Sequence, residues 1–345
     1  MGDEHYNREH ASTCVAHPLR VPDPVAWGVT YFASGSSAVG DIRGLTRWLH
    51  PIGISIPETT EPGLREIEAL RGLSCPDTPD RLLPVLVDTA AFSEVDVGPQ
   101  GLVVARPIDE AGWHYRLDVM VRIARALGRQ AYLVAPDQVG SQRVTLERLG
   151  RYAPEVRALR DAGARIVVAI QRGERAQRAF DAACAGALGF DDFVRGIPSN
   201  KDAMPIRELH AYLDAVRPAA VHLLGMGPQA ARFPGFVEMA RRARADVAIS
   251  CDSNLIAAHV GHTNGRGGGP RLVTAWAEHL EREVAAGRRR GREDRIREDA
   301  VAMAFGPQIA LNRFYRGFRA LGYVFTPDGG PPRGQRGLFG DGKAA

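Results

Sequence analysis

Four cysteines in 345 residues (Cys14, Cys75, Cys184 and Cys251) are too few and too scattered for a disulfide framework, and no two form a Cys-x-x-Cys pair. A reducing compartment is the simpler setting for such a chain. No apolar run approaches the length that spans a bilayer, and the N-terminus lacks a signal-peptide pattern. A cytoplasmic chain with no membrane partner is therefore expected. Neither sign of charge dominates: 44 Lys and Arg stand against 40 Asp and Glu, for a net charge of +4. That excess permits a polyanionic partner without requiring one. Hydrophobic residues make up 45% of the chain, enough for a sizeable core.

Between a polar first stretch (1–22) and a Gly/Pro/Arg-rich last one (329–345), both expected to be loose tails, the chain alternates two patterns. Short apolar runs occur at 27–33, 53–57, 83–88, 131–137, 165–171, 190–198, 219–225 and 246–252. They are apolar throughout rather than alternating, as strands buried on both faces of a parallel sheet are. Amphipathic stretches with helical spacing lie at 114–128, 145–163, 174–189, 205–218 and 236–245, and several end in Gly, a common helix terminator. Eight strands with intervening helices predict one (β/α)8 TIM barrel over 23–328, with extra C-terminal helices; a doubly wound sheet is the competing reading.

In a barrel, functional side chains gather at the C-terminal ends of the strands. Asp88, Asp137, Gln171 and Asp252 all follow apolar runs. Each Asp, taken singly, also suits a helix N-cap. Phe92 and Leu224 also suit a core, Gly196 a turn, and His222 a satisfied buried histidine. Capping explains one such Asp more easily than three in this order.

The ordered segments resemble the tRNA-guanine transglycosylase superfamily, and most closely its DNA-guanine transglycosylases, from about Val85 to Asp252. The stretch 88-DTAAFSEV-95 is similar to an Asp-Ser-Gly-Gly-aromatic-Gln segment, 134-VAPDQVG-140 to a base-recognising Asp segment, and 167-VVAIQRGE-174 to a strand presenting Gln. The turn 195-RGIPSNKD-202, the stretch 222-HLLGMG-227 and 249-ISCDSN-254 resemble the segments that follow. The resemblance implies Asp252 as nucleophile and Asp88 as general acid/base. It implies Phe92 and Leu224 stacking on the base, with Asp137, Gln171, Gly196 and Gly225 around its edge. It further implies DNA as polymer, a 7-deazaguanine base as small substrate, room for an ATPase partner, and no cofactor. Tests must also weigh tRNA as substrate, or a catalytically silent paralogue that binds nucleic acid or a deazapurine.

Two departures stand out. Thr89-Ala90-Ala91 replaces Ser-Gly-Gly, and no Cys follows Cys251, so the family's C-terminal zinc site is absent and no metal is expected. That loss favours DNA over tRNA. His259 and His262 offer His-x-x-His without a third strong ligand. The stretch 221-VHLLGMGPQA-230 meets a loose dinucleotide fingerprint, but Pro228 removes an N–H near where a pyrophosphate would sit. Arg266, Arg271 and the run Arg288, Arg289, Arg290 are candidate phosphate contacts, with a solvated face as the plainer reading.

Overall fold

The computed structural model describes residues 28–253 apart from 36, 48, 76–77, 99–100, 200–203, 228–229 and 231. The expected tails, the outer domain bounds, the C-terminal helices, His259, His262 and the arginines Arg266, Arg271, Arg288, Arg289 and Arg290 lie outside the described residues.

Each of the eight apolar runs yields one strand: β1 (Val29–Ala33), β2 (Ile52–Ser55), β3 (Val85–Asp88), β4 (Ala131–Val134), β5 (Arg165–Ala169), β6 (Val194–Pro198), β7 (Ala220–Leu224) and β8 (Ala248–Ser253). Each pairs in parallel with the next, and β8 pairs with β1, so the sheet closes into the expected barrel. Closure leaves no strand edge, so the backbone polar groups of these apolar runs are satisfied within the sheet.

Strand side chains alternate between two environments. Phe32, Leu86, Tyr132, Val134, Val167 and Val194 fill the barrel interior. Their neighbours Val85, Val87, Leu133, Ile166, Val168 and Ile249 belong to the larger core between strands and helices. Inside, Phe32 meets Tyr132 edge-on at 5.2 Å and His222 at 5.8 Å. Parity places Asp88 on the same face as Leu86, and His222, Leu224, Ser250 and Asp252 on the interior faces of β7 and β8.

The helices are α1 (Val39–Arg47), α2 (Glu61–Glu68), α3 (Glu110–Leu127), α4 (Gln142–Arg151), α5 (Ala153–Asp161), α6 (Gln177–Leu188), α7 (Ile206–Val216) and α8 (Phe233–Ala243). The single helix expected over 145–163 is two, broken at Tyr152. Pro154 accounts for the break: it has no N–H to continue the preceding helix, and it sits in the first turn of α5, where none is needed. Helices α1 and α2 and two short hairpins (Ser74–Cys75 with Thr78–Leu82, Val95–Gly98 with Gly101–Val104) were not expected. Among the described residues, no helix is long and apolar enough to cross a membrane.

Gly53 of β2 leaves room for Ser34 at the end of β1. A Cβ there would lie 2.3 Å from Ser34 Oγ and 3.1 Å from Ser34 Cα. Because one of those atoms is backbone, relief requires strand movement. Gly53→Ala is expected to destabilise the fold by about 1–3 kcal/mol, the usual cost of overpacking. Urea titration would read this as a lower midpoint at unchanged slope.

Candidate active site

Asp252 is the best-anchored of the mouth carboxylates. Its Oδ1 accepts from the Gly225 N–H at 2.7 Å and lies 3.3 Å from His222 Nε2. Gly225 holds a φ of +67°, a conformation that a side chain would strain, and this aims its N–H across at β8. Burial works to raise the Asp252 pKa. The hydrogen bond and field of His222, the Gly225 N–H and the Ser34 hydroxyl outweigh it and hold the carboxyl below its ordinary value.

His222 is fully buried, and both ring nitrogens have partners. Nδ1 lies 2.9 Å from Ser250 Oγ, whose other contact, the Val221 carbonyl, is longer at 3.4 Å. A hydroxyl donating to Nδ1 leaves the second proton on Nε2, where it can donate to an ionised Asp252. The satisfied core histidine of the sequence is thus also the partner of the expected nucleophile. No motif signalled this; only the parity of β7 and β8 places His222, Ser250 and Asp252 on one face.

Asp88 ends β3 half-buried at the same mouth. Its Oδ1 accepts from the Ala90 N–H at 3.1 Å. Burial, then the charge of Asp252, raise its pKa to about 6 against the opposing effects of the Ala90 N–H and His222. Ala90 adopts the left-handed conformation at φ +59°, at one of the positions where the resembled family has glycine. This turn stores strain of about 1 kcal/mol that glycine would not. Two residues on, Phe92 is 58% exposed, an unusual state for a large apolar ring.

Asp137 follows β4 and is 6% exposed. Among the described residues no ion pair reaches its carboxylate. Burial, then the charge of Asp88, lift its pKa to about 7; Arg148 opposes the rise.

Gln171 lies beyond the end of β5, and its amide is already committed. Nε2 donates to the Gln138 carbonyl at 2.7 Å and to Thr145 Oγ1 at 3.1 Å, while Oε1 accepts from the Gly140 N–H at 2.6 Å. It holds the loop that carries Asp137 instead of presenting its donors to the mouth. Gly196 lies inside β6, not at its end, and its carbonyl accepts from the Ile170 N–H at 2.8 Å. Its service is space: a Cβ would lie 3.0 Å from Leu224 Cδ1 and 3.2 Å from Val167 Cγ1. Leu224, half-buried at the end of β7, occupies that room. Among the described residues no three His, Cys, Asp or Glu side chains cluster as metal ligands would.

No protein-family model matches the chain, and no curated protein does. A crystal structure of a Coccidioides immitis protein assigned as a fructose-1,6-biphosphate aldolase is similar at 12% identity and a TM-score of 0.44, covering 87% of this chain and 97% of that one. At this distance the likeness carries no argument about chemistry.

The raised Asp137 pKa has a consequence for stability. Unfolded, the carboxyl would release its proton near about pH 4; folded, it holds it to about pH 7. Between those values the folded state binds the extra proton, so its stability falls as pH rises through the window. Asp137→Asn stays neutral and escapes the penalty. It is expected to exceed the wild type by roughly 1–3 kcal/mol at pH 8 and to differ little at pH 4, read by paired urea titrations.

Proposed function

We propose that the protein is a guanine transglycosylase that exchanges guanine in a polynucleotide, DNA in preference to tRNA, for a 7-deazaguanine base. The observation that carries this reading is the pair Asp252 and Asp88. Both are at one barrel mouth, one held toward its anion and the other raised toward its acid form. Two carboxyl groups displaced in opposite directions suit a nucleophile and a general acid in a double displacement at an anomeric carbon.

In the first step Asp252 attacks C1′ and the C1′–N9 bond breaks, its electron pair leaving with guanine. Asp88 gives that base a proton, which neutralises the leaving anion. The sugar is then an ester of Asp252. In the second step the incoming base loses its N9 proton to the Asp88 carboxylate. Its N9 attacks C1′ and frees Asp252, so both carboxyls return to their starting states. The target nucleotide must leave its stack to reach the mouth. Phe92 supports this as an exposed ring available for stacking, with Leu224 on the opposite side of the reading.

Asp137 would meet the N1–H and exocyclic amine of guanine, both donors, which favour its ionised form. DNA is the polymer that the resemblance favours.

Asp252→Asn is expected to lower exchange of labelled guanine into DNA by at least ~1,000-fold, as removal of a nucleophile does. Undiminished exchange would rule the nucleophile out, and exchange into tRNA alone would overturn the polymer. Binding of 7-cyano-7-deazaguanine near pH 6.5 should release protons, because the base draws Asp137 from its raised pKa toward the carboxylate. Calorimetry in buffers of different ionisation enthalpy measures that release, and Asp137→Asn should reduce it.

A further inference from the structure

Glu94 and Arg148 form a largely buried ion pair apart from the three mouth carboxylates. Glu94 has no exposed side-chain surface and Arg148 has 12%. Arg148 Nη1 and Nη2 donate to the two Glu94 oxygens, each at 2.7 Å. The residues are 54 positions apart, on the turn that bears Phe92 and on α4. Arg148 Nη1 also donates to the main-chain carbonyl of Asp137. Glu94 is fixed in turn: Oε1 accepts from the Ile108 N–H at 2.7 Å, and its carbonyl accepts from the Ala105 and Arg106 amides.

A second arginine completes the arrangement. The Trp113 ring, from α3, has the Arg148 guanidinium at 4.8 Å and that of Arg116 at 5.9 Å. Arg116 Nε donates to the Thr89 carbonyl at 2.8 Å, immediately after Asp88. Two arginines on one indole thus grip the main chain beside two different carboxylates. The indole N–H has no acceptor among the described residues, so ring packing and the cations hold it in place.

We propose that Glu94 and Arg148 are positioning residues that lock the turn bearing Phe92 to the loop bearing Asp137, fixing the distance between the ring that stacks on the base and the carboxyl that reads its edge. The inference rests on the transglycosylase reading for the identity of the base, but the clamp itself is a property of the fold. A buried bidentate pair is suited to this work. Its fork geometry permits one arrangement, and losing either partner strands a charge. By neutralising Arg148, Glu94 also keeps a free cation from drawing the proton off Asp137.

The test uses the full-length protein, with Glu94→Gln and Arg148→Lys each made alone and in an Asp137→Asn background. Two quantities are measured: the Kd of 7-cyano-7-deazaguanine, and hydrogen exchange over 89–95 and 137–141. Glu94→Gln is expected to weaken base binding about tenfold in the native background and less than twofold with Asp137→Asn, the coupling expected when one residue acts through another. The KM for the base should rise with kcat changed much less. Arg148→Lys keeps the charge but not the fork, so it should behave like Glu94→Gln. Unaltered binding, or the same tenfold loss without Asp137, overturns the proposal. If the wild type binds no deazaguanine, the transglycosylase reading falls alone and exchange decides the clamp. Faster exchange in both segments of Glu94→Gln supports it, and a change in one segment or neither overturns it.

Discussion

The two contacts to Asp252 Oδ1, from the Gly225 N–H and from His222, govern the electrostatics of the whole barrel mouth. They stabilise a negative charge where burial alone would remove it. That charge then helps raise Asp88, and the charge of Asp88 helps raise Asp137. Three carboxyl groups of one chemical type thereby acquire three different proton affinities. Burial supplies the largest push in each case, but the direction of the outcome is decided by which carboxyl receives donors. Asp252 receives several, Asp88 chiefly the Ala90 amide, and Asp137 is opposed by the Arg148 cation and then by its own backbone N–H.

The barrel makes this arrangement possible because its interior is already full. Phe32, Leu86, Tyr132, Val134, Val167 and Val194 close the space beneath the mouth. A packed floor lowers the local dielectric response and lengthens the reach of each charge. It also gives His222 a rigid seat against Phe32, so its Nε2 cannot easily turn away from Asp252.

The strands were legible because their chemistry is local. An uninterrupted apolar run between breakers marks a strand buried on both faces, and all eight runs became strands. Their ends drifted, as at 190–198, where Phe190 to Phe193 lie ahead of the strand that begins at Val194. Helix α2 carries a readable signal in the sequence: Thr60 caps it and Pro62 occupies its first turn. The first hairpin left almost none, since Thr78–Leu82 is short and carries no alternating pattern; the second shows one in 95-VDVGPQGLVV-104, two Val-rich runs around a Gly/Pro turn. At the site, Asp88, Leu224 and Asp252 could be placed by strand parity. The commitments of Gln171 could not, because they depend on Gln138, Gly140 and Thr145, residues 26 to 33 positions away. His222, 30 positions before Asp252, shares its face by the same parity, but its contact with that carboxyl follows only from the register of β7 on β8.

The raised proton affinities of Asp88 and Asp137 cost stability at neutral pH, whereas the lowered one of Asp252 adds to it. The amides of two buried glutamines brace the loops at that mouth. Gln142 donates to the Gln171 and Arg175 carbonyls and accepts from the Arg175 amide. Gln171 holds Gln138 and Gly140. Uncharged amides can do this work without adding a charge to a region whose function depends on which charges are present. An ionised Asp could only accept and a Lys only donate, so neither would serve these carbonyls and amides together, and each would enter the electrostatic chain that runs from Asp252 to Asp137. The selection of glutamine for the scaffold and aspartate for the mouth separates the groups that hold the loops from the groups that titrate.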